Sequence, residues 1–285
     1  EAVGELIPPD LAADLRADVA VLRFLKTPYS RLSAQGTLRG RVIEVPQLAA
    51  AIGSGRITGS ATVDYANDPF GRASWRTRVE DAPASALLAP HAPGLAAIWT
   101  GALRADLTGA CDLADPEAIR NSLTLEGDVA GTDGVIDLRE TLGGISRYLG
   151  SRQDLLRVVY DGLDQHLRVR DGRVELTGLR VDGTDTDWRG EGWIGLDGAI
   201  DMDLTVQLPA GFTPDLSDLS FVAEALRDDQ GRIGLDLSLT GQAARPTVGL
   251  DVDPAELMKS EELRKGLEDK VKEGLGGLLD RLGGK

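Results

Sequence analysis

The 285-residue chain is poor in the side chains on which most catalytic and metal sites depend. It contains one cysteine, Cys111, and two histidines, His91 and His166. A single cysteine excludes an intramolecular disulfide, and no cysteines or histidines stand at the spacings of a metal motif. No Gly-x-Ser-x-Gly nucleophile motif is present either. We therefore expect a protein that is not an enzyme and that carries no cofactor and no metal.

Long apolar runs, aromatic side chains and positive charge are also scarce. No segment approaches the roughly 18 apolar residues of a membrane-spanning helix, and the sequence from Glu1 onward has no signal-peptide pattern. The formal net charge of −15 argues against nucleic acid as a partner, because phosphate binding needs a basic surface. Hydrophobic residues make up 42% of the chain but aromatic residues only 4%, so its dry surfaces are aliphatic.

Strict alternation of apolar and polar residues is the strongest pattern that the sequence does contain. It is clearest in residues 123–129, 200–208 and 233–239. Strands with one dry and one wet face are typical of antiparallel sheets. Weaker copies of the pattern cover residues 15–21, 57–65, 75–79 and 103–107.

Glycines mark both the joints and the bends of the predicted strands. Asp171-Gly172 and Asp197-Gly198 each separate two alternating segments and predict two-residue hairpins. Gly190 and Gly192 interrupt a strand, which indicates a bulge or a close backbone approach. Together these positions predict a strongly coiled antiparallel sheet.

Helical patterns are short, except at the C-terminus. Residues 84–88 and 116–122 predict single turns between strands, and residues 138–149 predict a helix that 153–160 continue. Asp253, Pro254 and Glu256 begin a further helix, with apolar residues at helical spacing after them. We expect two units: an elongated β domain over 1–253, and an amphipathic helix over 254–285 that caps an end of the sheet.

Two local features have a chemical interpretation and a simpler structural one. Cys111 precedes an acidic residue and has no basic neighbour, which favours a buried thiol over a reactive one. Asp182, Asp185 and Asp187 form an acidic cluster that resembles the start of a calcium loop. The later ligand positions of such a loop fall on Arg189 and Leu196, which favours an acidic turn.

The order of several segments resembles one known family. From about residue 31 to the end, the chain is similar to the C-terminal region of AsmA-like bacterial envelope proteins. No single segment is specific, but their order is moderately so. The matching segments are residues 53–65, 125–138, 167–176, 188–202 and 239–250.

The resemblance implies a fold, a location and a cargo. Such proteins are mainly β, with a long twisted antiparallel sheet curled into a groove, and are associated with moving phospholipid between membranes. A periplasmic protein, held at the inner membrane through a segment absent from this chain, is therefore expected. Phospholipid or another acyl lipid would be the ligand, and another envelope protein a possible partner.

The predicted groove residues come from the clearest alternating strands. They are Ile194, Leu196, Ile200, Met202, Leu204, Val206, Ile233, Leu235, Leu237 and Leu239. The same side chains are also compatible with the closed core of an ordinary β-sandwich. The alternative function is a structural subunit of a larger envelope or membrane complex, which docks through a sheet edge or the C-terminal helix.

Overall fold

The computed structural model describes residues 2–24, 27–89, 93–142, 149, 152–213 and 227–251. Within them the protein is mainly β, as predicted, with thirteen strands and a few short helices. The strands are β1 (Ala12–Phe24), β2 (Thr27–Arg39), β3 (Val42–Ile52), β4 (Gly55–Asp64), β5 (Arg72–Pro83), β6 (Trp99–Asp112), β7 (Thr124–Asp137), β8 (Arg157–Arg170), β9 (Arg173–Gly183), β10 (Asp187–Gly195), β11 (Ala199–Gln207), β12 (Gly234–Gln242) and β13 (Arg245–Asp251).

The described helices are all short. They are α1 (Val3–Leu6), α2 (Ala84–Leu88), α3 (Pro93–Ile98), α4 (Pro116–Ser122) and a 3-10 turn at Gln153–Leu156. The predicted turns at α2 and α4 are confirmed; Asp115 caps α4 by accepting the Glu117 and Ala118 N–H groups. Among the described residues, no helix has the length and apolar character needed to cross a membrane.

One helical prediction is wrong, and others cannot be compared with the structure. After the 3-10 turn, residues 157–160 begin strand β8, because Val158 and Tyr160 are buried while Arg157 and Val159 are exposed. That two-residue period belongs to a strand. Half of the helix predicted over 138–149, namely residues 143–148, and the whole of the tail over 254–285 lie outside the described residues.

All thirteen strands form one antiparallel sheet in the order of the sequence. Each strand pairs with the one before it and the one after it, so β1 and β13 are the two edges and the sheet is not closed. This up-and-down arrangement needs only short connections between neighbours. The long antiparallel sheet predicted from the alternating segments is therefore confirmed.

The strand register places the apolar positions of all strands on one side, here called the inner face. One row of directly paired residues crosses the middle strands from Val45 through Ala61, Trp75 and Gly109 to Leu125. The row continues across the later strands through Val169, Val174, Ile194 and Ile200. The intervening positions, which are rich in Arg, Asp and Glu, form the outer face.

Glycines allow neighbouring strands to approach each other closely on the inner face. At four glycines of these strands, the atom nearest to an added Cβ would be a main-chain carbonyl oxygen of the adjacent strand, at 2.3 Å or less. Crowding on this side is expected for a sheet that curls toward it. The predicted close approach at Gly192 is confirmed, and the ladder of β9 and β10 shifts register between Gly190 and Gly192. The four glycines are Gly36, Gly59, Gly127 and Gly192.

Bulges bend the same strands at residues that do not look like bend positions in the sequence. Register shifts flank Asp81 in β5 and Gly101 in β6. Asp81 and Asp133 both have φ of 50°, a left-handed conformation that L-residues seldom adopt. A bulge increases the local twist and bends its strand, so these positions add to the curl.

The two Asp-Gly hairpins differ in length. Asp171 and Gly172 form the predicted two-residue turn between β8 and β9, with φ of 50° and 69°. The second prediction is wrong by one residue, because β10 ends at Gly195 and the loop contains Leu196, Asp197 and Gly198. The Asp197 side chain accepts the Ala199 N–H at 3.0 Å, which stabilises this longer loop.

Candidate functional site

The inner face has two halves that differ in how completely they are covered. On β8 to β13 most of the inner side chains belong to one packed hydrophobic cluster. Leu235 and Leu237 are 2% and 1% exposed, and Trp188 is 4% exposed. This half, which we call the closed half, is a protein core.

Two chain connections supply further side chains to the hydrophobic cluster of the closed half. The connection between β7 and β8 contributes four leucines, and its ends are joined by the Leu138 N–H bonding to the Leu156 carbonyl at 2.8 Å. The connection between β11 and β12 contributes Leu208 and Ile233, which are themselves joined by a 2.8 Å main-chain bond. The four leucines are Leu142, Leu149, Leu155 and Leu156.

The ten residues predicted to line a groove all lie on or next to this closed half. Ile194 is half-buried against the cluster, and Leu196 is 49% exposed in the loop after β10. Their assignment to a lipid surface stays a prediction. In the structure, most of them are surrounded by protein. The other eight, all buried, are Ile200, Met202, Leu204, Val206, Ile233, Leu235, Leu237 and Leu239.

The inner face of β2 to β7 is covered much less. Its central side chains are only half-buried and belong to neither of the two hydrophobic clusters of the described residues. The Trp75 indole lies over Gly109, where an added Cβ would come within 2.6 Å of the ring. We call this surface the open half; its central residues are Leu32, Ile43, Val45, Leu48, Ala61, Val63, Trp75 and Leu125.

A small second core closes one end of the open half. Ile52, Ile57 and Val79 are buried there, and Ala86 and Leu87 of α2 pack against them. Helix α2 thus covers the strand ends on this side, while residues 2–11 cross the opposite end of the sheet, where Leu38 is 8% exposed. The open half is therefore an apolar trough between these two ends.

The boundary between the two halves lies at β8. The Tyr160 side chain is 1% exposed and its hydroxyl accepts the Trp99 indole N–H at 2.8 Å. Burial raises the pKa of this phenol, although the hydrogen bond from Trp99 opposes the shift. Gln165, 8% exposed on the inner face, donates its amide to the Thr177 carbonyl at 3.2 Å. Its own carbonyl oxygen has no partner among the described residues.

The outer face carries cross-strand ion pairs. Arg78 pairs with Asp106 at 2.8 Å, and Arg168 pairs with Glu126 at 2.5 Å. Hydrogen bonding from Arg168 holds the Glu126 pKa below its ordinary value of 4.5. His166 lies in the middle of β8, where its Nδ1 is 2.7 Å from Asp128. The side chains of these pairs are exposed, so the outer face is a solvated surface. Exposed pairs of this kind contribute little stability.

The other residues that the sequence offered as candidates for chemistry are a cysteine, an acidic cluster and a histidine. Cys111 is buried, as predicted, and burial followed by the Asp112 charge raises its thiol pKa. The acidic cluster spans the turn between β9 and β10: Asp182 lies in β9, Asp185 in the turn, and Asp187, which pairs with Arg232 at 3.2 Å, begins β10. His91 lies outside the described residues. Within the described part of the chain, no group of His, Cys, Asp and Glu has metal-binding geometry.

The sequence interpretation missed the residues of the open half on β2 and β3. Their alternation is broken by register shifts between Ser30 and Ser33 and between Val45 and Leu48. Pro46 lies inside the second break. The alternating runs predicted over 57–65, 75–79 and 123–129 do lie on this half, and they include Ala61, Trp75 and Leu125.

Comparison of the chain with family models, curated proteins and solved structures finds no match in any of the three. The fold and the site define its class in physical terms. Within the described residues it is an antiparallel sheet that is not closed, with one half of its inner face packed as a core and an apolar trough on the other. Its function is therefore argued from this trough.

Proposed function

We propose that the protein is a non-catalytic lipid-binding protein that holds acyl chains of phospholipid on the open half of its inner face. The observation that carries this proposal is the row of half-buried aliphatic side chains on β2 to β7, outside both cores. A contiguous apolar surface that the rest of a protein does not fully cover often marks a binding site. An acyl chain needs such a surface and no directed polar contact.

The trough has suitable dimensions for an acyl chain. Six strands with about 4.8 Å between neighbours give it a length of roughly 24 Å across the sheet. One leaflet of a bilayer has about 15 Å of hydrocarbon, so an extended chain fits along the row. Burying about 14 methylenes at roughly 0.8 kcal/mol each gives a gross gain near 11 kcal/mol before the costs of ordering.

The lining favours broad lipid selectivity. Val45, Ala61, Val63 and Leu125 offer only hydrocarbon, and the ionised residues of these strands lie on the outer face. A headgroup would therefore remain near solvent at the rim. We accordingly expect several phospholipids with similar chains to bind comparably.

Tryptophan quenching by phospholipid with brominated acyl chains tests where the chains bind. Trp75 belongs to the open half, whereas Trp188 is buried in the closed half and donates to Thr186 at 2.9 Å. We expect brominated lipid to quench the unmodified chain and Trp188→Phe, and to lose most of that effect in Trp75→Phe. Quenching that survives in Trp75→Phe but not in Trp188→Phe would instead place lipid in the closed half. No quenching at all would refute lipid binding.

A matched pair of charge substitutions provides the second arm of the test. Ala61→Asp puts a carboxylate on the open half, whereas Ser60→Asp puts one on the outer face, opposite Arg76. We expect uptake of a fluorescent phospholipid from phosphatidylcholine vesicles to fall about tenfold for Ala61→Asp, because a buried charge is costly. Ser60→Asp should bind like the unmodified chain. Equal uptake by both variants would contradict the proposal.

A further inference from the structure

The first strand of the sheet is a long and open edge. Among the described strands β1 pairs only with β2, and all its residues from Ala12 to Arg23 are exposed, apart from the half-buried Ala13 and Val19. Val21 is 63% exposed and Leu15 is 38% exposed. An uncovered edge with apolar side chains offers unpaired main-chain groups to another strand.

The residues before β1 leave this edge free. Residues 2–11 run along the end of the sheet toward the connection between β4 and β5. There the Gly4 N–H donates to the Pro69 carbonyl at 2.8 Å, and the Arg41 side chain donates to the Ile7 carbonyl at 2.7 Å. This segment therefore crosses the sheet end and does not extend the sheet beyond β1.

We propose that β1 pairs with β1 of a second copy of this chain, antiparallel and about a two-fold axis at Ala17. In this register Ala17 faces Ala17 of the second copy, Leu15 faces Val19, and Ala13 faces Val21. On the outer face Arg16 stands opposite Asp18 of the second copy. Because of the two-fold axis, Asp18 of the first copy likewise stands opposite Arg16 of the second. Apolar positions meet apolar positions, and opposite charges meet each other.

Charge selects this register over its neighbours. A shift of two residues in one direction places Asp18 opposite Asp18, and a shift in the other direction places Arg16 opposite Arg16. Like charges directly opposite each other destabilise a strand pair. The Arg16 and Asp18 side chains are 73% and 61% exposed, so both are accessible to a partner. A shift of one residue would exchange the two faces.

Joining the sheets in this way has a consequence for the inner face. A two-fold axis perpendicular to the sheet keeps both inner faces on the same side. The two open halves would then meet at the dimer contact, with the two closed halves at the far ends. This inference rests on β1 alone and holds whether or not the trough binds lipid.

Charge variants of the full chain test the pairing, with light scattering over a series of concentrations as the readout. Arg16→Asp and Asp18→Arg each place like charges across the contact, so we expect dimer dissociation constants to rise about tenfold or more. The double variant restores opposite charges and should dimerise again. Mixing the two single variants should give heterodimers. A monomeric unmodified chain, or a dimer indifferent to these changes, would overturn the proposal.

Cysteine substitution checks the register. Ala17→Cys brings two thiols opposite each other, where Cα atoms are about 4.5–5.5 Å apart, within the range of a disulfide. Ala13→Cys lies on the same face, but its two copies would be roughly 27 Å apart. Oxidation should cross-link Ala17→Cys alone, since the native Cys111 is buried. Cross-linking of Ala13→Cys, or of neither variant, would rule out this register.

Discussion

The two halves of the inner face are made from the same kind of strand but are covered differently. β4 and β11 both alternate apolar and polar residues, and both have antiparallel neighbours on each side. In β11 the inner side chains are buried, whereas Ala61 and Val63 of β4 remain half-buried. The difference lies in the connections. The connection between β7 and β8 contributes leucines such as Leu142 and Leu155 to the core of the closed half, while β2 to β5 are joined by short connections. Coverage is therefore a property of the loops and not of the strands.

The largest expected effect comes from truncating one leucine to alanine in each half. Leu237→Ala in the closed half should lower the free energy of unfolding by about 2–5 kcal/mol, because a cavity remains in a packed core. Leu48→Ala in the open half should cost less than about 1.5 kcal/mol, since Leu48 is only half-buried. Urea denaturation measures both.

For lipid uptake we expect the opposite order, with a larger loss in Leu48→Ala than in Leu237→Ala. Leu48→Ala removes part of the trough, whereas Leu237→Ala leaves the trough intact. Equal losses of stability in the two variants would mean that the open half is also a packed core. The comparison between the halves would then fail.

A smaller effect is expected at the glycines, which both halves share. Gly59→Ala and Gly192→Ala would each push a methyl group onto a neighbouring main-chain carbonyl, of Arg76 and Asp201 respectively. We expect each to cost roughly 1–3 kcal/mol, as overpacking does, and thermal unfolding measures it. Gly94→Ala in α3 is the control, since nothing lies within 4 Å of its added Cβ. It should be neutral or slightly stabilising. If Gly59→Ala kept its stability and Gly192→Ala did not, only the closed half would need the close strand approach that its glycine allows.

Much of the fold was predictable because it depends on local patterns. Alternation identified the strands, and Asp171-Gly172 identified a hairpin, since each signal lies within a few neighbouring residues. The bulge at Asp81 was not predictable, because its left-handed conformation is imposed by pairing with β6. The site depends on tertiary coverage: the alternation of residues 200–208 and 233–239 is the same whether leucines such as Leu155 pack over them or not. Apolar strands therefore indicated an inner face but not its open half.

The smallest expected effect concerns the outer face at the boundary between the halves, where Glu126 of β7 meets Arg168 of β8. The pKa of Glu126 is lowered in the folded protein, so its contribution is present above the unfolded value and is lost as pH falls below about 4.5. Glu126→Gln should lower the melting temperature slightly at pH 7, and this difference should vanish in acid. Glu44→Gln, on exposed β3 positions opposite Thr37 and Thr62, should change nothing at either pH. A large loss for Glu126→Gln would contradict the view that the exposed ion pairs of the outer face contribute little stability.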